Sequence, residues 1–184
     1  MFQLRSLRIP QLILGMVLLV ALGACGAKPV PQEMEPGDSI VFGHIDMSDA
    51  PVKLDGLWIR QFSPPSKKPF YSAGIKKGTF FNWYMDPGAY AVSHFSGTSF
   101  GGTRFRFNIP RQLTSMRIEI KEPGIYYLGA YRFKNIKTGI FEPDQFDLEP
   151  VGHPTEKEAL EKLLKLVKGT SVEGKLQQRL KELP

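Results

Sequence analysis

Between Ser39 and Phe133 the chain is a succession of short runs rich in aromatic and β-branched residues, and in the clearest of them apolar and polar side chains alternate. Phe105, Phe107 and Ile109 alternate with Arg104, Arg106 and Asn108, and Met116, Ile118 and Ile120 with Arg117, Glu119 and Lys121. A period of two sends one set to a dry face and the other to water, the pattern of an antiparallel sheet with one solvated side. Runs over 39–47, 54–61, 78–85, 89–96, 103–109, 116–121 and 125–133 read as strands, punctuated by proline, glycine and polar clusters. About seven strands at this spacing predict a mainly β fold, an antiparallel, Greek-key-like β-sandwich. The chain has a single cysteine, so no internal disulfide can form and stability must come from an ordinary core.

An internal echo supports the sandwich. Asp86-Pro87-Gly88-Ala89-Tyr90 is matched by Glu122-Pro123-Gly124-Ile125-Tyr126. In each, proline presets a turn and glycine is suited to positive φ, which predicts a type II turn before tyrosine opens the next strand. The phenol is then placed to reach back to a backbone group, as in a tyrosine corner. With the openings Val41-Phe42-Gly43-His44-Ile45 and Lys77-Gly78-Thr79-Phe80-Phe81, residues 39–133 resemble the carboxypeptidase-regulatory-like or transthyretin-like sandwiches of uncharacterised bacterial lipoproteins. That resemblance implies a fold and no particular reaction, because the family carries no single activity.

The C-terminal 34 residues change character. Thr155-x-x-Glu158 is a capping box, and Leu160, Leu163, Leu164 and Val167 follow at helical spacing before Gly169. Thr170-x-x-Glu173 reads as a second box, with Leu176, Leu180 and Leu183 on one face. Residues 151–184 are thus expected to form two short helices packed on the sandwich of residues 39–150, with a partner helix or membrane surface as the other use of their leucine stripe.

At the other end, Arg5 and Arg8 precede a nearly pure apolar run from Gln11 to Leu22. Its uninterrupted core of about 12 residues is short of the roughly 20 that cross hydrocarbon, so residues 1–24 read as an export signal. Leu22-Gly23-Ala24-Cys25 resembles the lipobox of bacterial lipoproteins. The resemblance implies that Cys25 becomes the diacylglyceryl-bearing first residue of a protein held in the cell envelope. Gly26, in place of an inner-membrane retention aspartate, implies the outer membrane. An uncleaved anchor, or an ordinary signal with a chance cysteine, are the other readings. Residues 25–38, with Pro29, Pro31, Pro36 and Gly37, form a tether that at about 3.1 Å per residue reaches roughly 30 to 40 Å. Removing the signal takes away Arg5 and Arg8 and lowers the formal charge of +6 by two. The remaining basic residues are dispersed, as in Lys67-Lys68, Lys76-Lys77 and Arg111. They suit a solvated face or attraction to envelope polyanions and anionic headgroups, while export argues against nucleic acid.

Candidate chemistry is sparse. Gly97-Thr98-Ser99-Phe100-Gly101 matches the G-x-S-x-G elbow of serine hydrolases, and Asp144 or Asp147 with His153 would complete the order Ser, Asp, His. The elbow requires a strand turning into a helix, whereas here a strand follows at once, so Ser99 reads instead as part of a hairpin loop. His44 and Asp46, two apart on one strand, share a face and are candidate metal ligands, although no further ligand spacing supports them and no cofactor is expected. His94 continues the face of Tyr90 and Val92 and reads as a core or rim histidine. In Phe80-Phe81-Asn82-Trp83-Tyr84 and Tyr126-Tyr127 consecutive rings must point to both faces of a strand. Phe81, Trp83 and Tyr127 are accordingly candidates for an exposed stacking platform for sugar or peptide, unless the helices cover them; Trp58 and Arg132 come under the same question. The sequence therefore predicts a membrane-anchored envelope module without enzymatic activity. A carbohydrate- or peptide-binding module and a small hydrolase using Ser99 are the alternatives.

Overall fold

The computed structural model describes residues 34–35, 37–109, 116–136 and 145–184. The signal, Cys25, most of the tether, Arg111 and Asp144 lie outside the described residues. Ten strands are present among those described: β1 (Ser39–Asp46), β2 (Val52–Ser63), β3 (Phe70–Ser72), β4 (Gly74–Lys76), β5 (Thr79–Met85), β6 (Gly88–Ser99), β7 (Arg104–Asn108), β8 (Arg117–Ile120), β9 (Ile125–Ile136) and β10 (Gln145–Val151). Two helices follow, α1 (Glu156–Leu164) and α2 (Ser171–Glu182). The seven predicted strands all form. β3, β4 and β10 are additions, the first two too short to carry a period and the last hidden in a run whose apolar residues, Phe146, Leu148 and Val151, break alternation at Pro150.

The first sheet has the order β10-β9-β1-β5-β4 and the second β3-β2-β6-β7, with β8 also paired to β6. All pairs are antiparallel except β1 with β9, which run parallel. Two facing layers enclose the main core, which includes Val41, Ile45, Phe80 and Phe133 from the first sheet and Leu57, Ile59, Val92 and Phe95 from the second. Its centre is built from two stacked ring pairs, one per sheet: Phe133 with Phe146 (5.6 Å, 6°) and Phe95 with Phe107 (4.8 Å, 15°). The pairs meet edge to face across the interface at 5.3 to 6.4 Å, an arrangement aromatic quadrupoles favour.

A second core lies on the outer side of the first sheet. Ile40, Phe42, Phe81 and Trp83 are buried there against Leu160, Leu163, Val167, Val172 and Leu176 of the helical segment. β1 and β5 are therefore dry on both faces. Two irregularities make that possible. On β9, Ile125 and Tyr127 face the helices whereas Tyr131 and Phe133 face the other sheet, because the register against β1 slips between Phe42 and His44. Gly129, with φ of 99°, takes up the extra residue in a conformation that a side chain would strain. On β5 a similar slip opposite Ser39 and Val41 returns Met85 to the inter-sheet core.

Both predicted tyrosine corners form. Tyr90 donates to the carbonyl of Asp86 (2.8 Å) and Tyr126 to that of Glu122 (2.6 Å), each four residues upstream. The turn geometry differs from prediction. Gly88 does take positive φ, at 158°, but far from the roughly +80° of a type II turn, and positive φ among the other described glycines occurs at Gly78, Gly102, Gly129 and Gly169, not at Gly124. Glycine at 88 serves close approach instead, since a Cβ there would lie 2.5 Å from the Ser63 carbonyl oxygen. The Thr155–Glu158 capping box is complete. The second box is not: Thr170 donates its hydroxyl to the Val167 carbonyl, and Glu173 reaches past it to accept from the Gly169 N–H (2.7 Å).

Candidate functional site

The helices cover the outer face of the first sheet only. On the second sheet the pairing registers align outward-facing residues into rows across the strands. Ser72, Trp58, His94 and Asn108 form one row over β3, β2, β6 and β7; Phe70, Arg60, Ala91 and Arg117 form the next over β3, β2, β6 and β8. On the other side of the Trp58 row lie Gly56, Ser96 and Arg106, and beyond them Lys53, Thr98 and Arg104. Rows two residues apart are about 7 Å apart along a strand. The middle strand contributes small side chains, Ala89, Ala91 and Ser96, while the flanking strands contribute large ones.

His94 reaches this face because the β2–β6 register slips between Trp58 and Ile59, placing an extra residue on β6 between Val92 and His94. Its predicted alignment with Tyr90 and Val92 is corrected by that slip: Phe95, not His94, continues the core face. The imidazole lies parallel to the Trp58 indole, centroids 4.5 Å apart and planes 11° apart, with Phe70 at its edge at 6.3 Å. Burial, followed by the Arg106 charge, holds its pKa below 6.5, so it stacks as a neutral ring at pH 7. Gly56 lets the indole lie down along the sheet, because a Cβ there would come within 2.5 Å of Trp58 Cη2. Trp58 is thus half-buried, laid over backbone and imidazole.

Cations border this plate. The Arg60 guanidinium sits 5.2 Å from the Phe62 ring and 5.7 Å from Phe70, both rings about half exposed. Arg106 Nε donates to Asn108 Oδ1 (3.2 Å). Among the described residues neither Arg60 nor Arg106 pairs with a carboxylate. Arg104 does, lying 3.6 Å from Asp55 and donating to Ser96 Oγ (3.2 Å). Asp55 also accepts from the hydroxyls of Ser96 (2.5 Å) and Thr98. Partial burial pushes the Asp55 carboxyl up, but those hydrogen bonds and the Arg104 charge outweigh it and hold the group ionised, below its ordinary value.

Of the residues singled out from sequence, Trp58 and His94 form this plate and the others lie elsewhere. Phe81 and Trp83 are 4% and 1% exposed beneath the helices, so they form no open platform. Tyr127 is half-buried against Phe42 and donates its hydroxyl to the Pro154 carbonyl; burial, and then the nearby Glu156 charge, raise its pKa to about 12. Consecutive aromatics do alternate as predicted, but the helices cover Phe81 and Trp83 and the other sheet covers Phe80, which leaves Tyr84, 39% exposed, as the open ring of β5.

His44 and Asp46 share a face of β1. His44 Nδ1 lies 3.3 Å from Thr79 Oγ1, while Asp46 accepts from the Ser48 N–H (2.9 Å) and pairs with Arg132 at 3.6 Å. Burial and then the Lys162 charge lower the pKa of His44. Among the described residues no three His, Cys, Asp or Glu side chains are grouped to hold a metal.

Ser99 ends β6, and its Oγ accepts from the Thr103 N–H (3.2 Å) inside a tight β6–β7 turn tipped by Phe100, 95% exposed. His153 Nδ1 faces Glu158 Oε2 (3.0 Å) beside α1, and Asp147 accepts from the Leu148 N–H next to it. Ser99, Asp147 and His153 are thus each engaged locally, and no described hydrogen bond joins them.

An open cleft of about 820 Å³ runs between α2 and the β8–β9 turn, lined by Met34, Tyr126, Lys175 and Arg179 among others. Among the described residues no helix is long and apolar enough to cross a membrane. The sequence does carry a signal for the open face: Trp58, Arg60 and Phe62 recur at period two on β2, opposite Leu57 and Ile59. Comparison with known proteins finds no family model, no curated protein and no solved structure that matches this chain.

Proposed function

We propose that the protein is a cell-envelope lipoprotein, anchored through lipid on Cys25, that works as a non-enzymatic interaction module through the open face of its second sheet. One contrast carries the reading: the chain closes the outer side of one sheet with a helical pair and leaves rings and arginines on the other in water. Large rings kept at a surface without cover mark contact sites more often than packing sites. The anchor half rests on the charge, apolar core and Leu22-Gly23-Ala24-Cys25 order at the N-terminus, with Gly26 favouring the outer membrane. An envelope protein or polyanion is the expected class of partner. A hydrolase centred on Ser99 is the less favoured reading, since the serine and His153 are committed to separate local bonds.

The test has two arms in intact cells. Cys25→Ser is expected to abolish incorporation of labelled fatty acid and to release the protein from membranes or trap its precursor. Crosslinking of the wild-type chain is expected to capture an envelope component that Trp58→Ala combined with Arg60→Ala does not. A lipid-free mature N-terminus at another residue ends the anchor claim, and unchanged capture by the double variant ends the claim for this face.

A further inference from the structure

We infer that the open face of the second sheet binds an acidic polysaccharide, with a sugar ring stacked on Trp58 and its carboxylate or phosphate held by Arg60 or Arg106. The inference rests on the reading of this face as a binding surface and specifies its ligand. The indole is supported from below by His94, at 4.5 Å and 11°, and the missing Cβ of Gly56 lets it lie along the sheet. A ring fixed in that attitude presents its opposite side to solvent with little conformational entropy left to lose, and a flat apolar plate suits a flat ligand ring. The unpaired arginines stand in the two neighbouring rows, about 7 Å to either side. An anionic group on the stacked ring or on the next sugar falls within reach of one of them.

Other occupants fit less well. β6 is paired on both sides, and β3 covers β2 from Trp58 to Arg60, so a peptide cannot add itself as a strand beside the indole; the sheet edges lie at β3 and β7, away from it. Recognition must therefore run through side-chain tips. Those tips mix donors with acceptors: the Asp55 carboxylate, Asn108 Oδ1 and the hydroxyls of Ser96 and Thr98 lie among the arginines. A polynucleotide offers mainly acceptors along its backbone and would be repelled by the carboxylate. A polyhydroxylated acid offers hydroxyl donors for Asp55 and Asn108 as well as an anion for the arginines.

Trp58 is also the convenient reporter, because the only other tryptophan, Trp83, is buried under the helices. Full-length protein in detergent, followed by intrinsic fluorescence, is titrated with polygalacturonate, phosphomannan, neutral dextran, polyglutamate and single-stranded DNA. Saturable binding of at least one of the two acidic glycans is expected, with weak response to dextran and polyglutamate. Trp58→Ala should weaken it about tenfold, followed by a fluorophore on the glycan. Arg60→Ala with Arg106→Ala should weaken it and flatten its dependence on salt, and Trp83→Phe should preserve it. Equal binding of polyglutamate or DNA, or an acidic glycan bound equally well by Trp58→Ala with its native fold intact, overturns the inference. Failure of both acidic glycans also overturns it, yet leaves the binding-surface reading standing if cellular crosslinks still depend on Trp58 and Arg60.

Discussion

Tyr90→Phe and Tyr126→Phe remove the same hydroxyl from the same motif, but burial predicts unequal costs. Both phenols donate to a carbonyl four residues upstream, Tyr126 over 2.6 Å and Tyr90 over 2.8 Å, so bond length alone ranks Tyr126 as the stronger. Solvent reverses the ranking. Tyr90 is 1% exposed and lies edge to face with Tyr71 at 5.7 Å, and burial drives its pKa far above the ordinary tyrosine value. The Tyr126 bond lies at the surface, where water replaces a lost donor. Loss of the part-buried Tyr90 bond, whose ring is enclosed, costs its net value of about 1 kcal/mol plus part of the desolvation of the carbonyl left behind, about 2 kcal/mol together; the exposed bond should cost about 0.5 kcal/mol. With a urea slope of about 2 kcal/mol per M, Tyr90→Phe should lower the unfolding midpoint by about 1 M and Tyr126→Phe by about a quarter of that. Circular dichroism against urea on the full-length protein in detergent measures both. Equal shifts, or a larger one for Tyr126→Phe, would refute the claim that burial rather than distance sets the strength of these corners.

Three further outcomes follow from the packing. Gly129→Ala places a side chain at φ of 99° within 3.4 Å of the Tyr131 ring and should cost about 1 to 3 kcal/mol, read as a lowered melting temperature. Leu163→Ala opens a cavity where the helices meet the first sheet and should cost about 2 to 5 kcal/mol, without altering glycan binding on the opposite layer. His44 and His94 are both held below pKa 6.5, chiefly by burial, so the unfolded chain binds protons that the folded one refuses. Stability should be complete above about pH 6.5 and decline as pH falls through that value towards the folded pKa values, and His44→Asn with His94→Phe should flatten the slope. Asp46 and Asp55, with lowered carboxyl pKa values, add their own loss only below about pH 4, so the two windows separate in a pH series of melts.

How much of this was legible depended on where strict alternation survived. β8 reads directly from sequence because Met116, Ile118 and Ile120 keep one face to the core without interruption. The tyrosine corners and first capping box are equally direct, being made within four residues. β7 misleads in part: Phe105 keeps the parity of Phe107 but is 43% exposed. Beyond Trp58 and its period-two neighbours on β2, the open face was not legible, for a definite reason. Its assembly depends on register slips at Asp55, Ser93 and Phe62, and each shifts the inward and outward sets by one residue without changing composition. His94 was therefore assigned to the core by a period that the chain breaks one residue earlier. Phe81 and Trp83 failed as surface candidates for the opposite reason, since their strand alternates faithfully and a distant helical pair supplies the cover.

That cover is itself specified by the strands. β1 presents Val41 and Ile45 inward and Ile40 and Phe42 outward, and β5 adds Phe80 inward with Phe81 and Trp83 outward, so the first sheet is unstable with one face in water. β2, β6 and β7 surround Trp58 and Phe62 with Gly56, Arg60, Ala91, Ser96, Thr98 and Arg106, so the leucine stripe of α1 and α2 would have to bury charges there that it avoids on the first sheet. The helices are thereby directed to one sheet, and the ring-and-arginine face is left to the other. Met34, the first residue described, packs with the helical core beside α2, so the chain enters the domain on the covered side. Under the lipoprotein reading the tether leaves from one outer layer and the ring-and-arginine face is the other, with two sheets between them. Under the proposed reading, a surface so placed is free to meet a polymer of the envelope while the anchor is engaged, and moving the lipid attachment to the open face, as Lys53→Cys in a Cys25→Ser background coupled to a maleimide-bearing lipid in vesicles, should suppress binding that the N-terminal anchor permits.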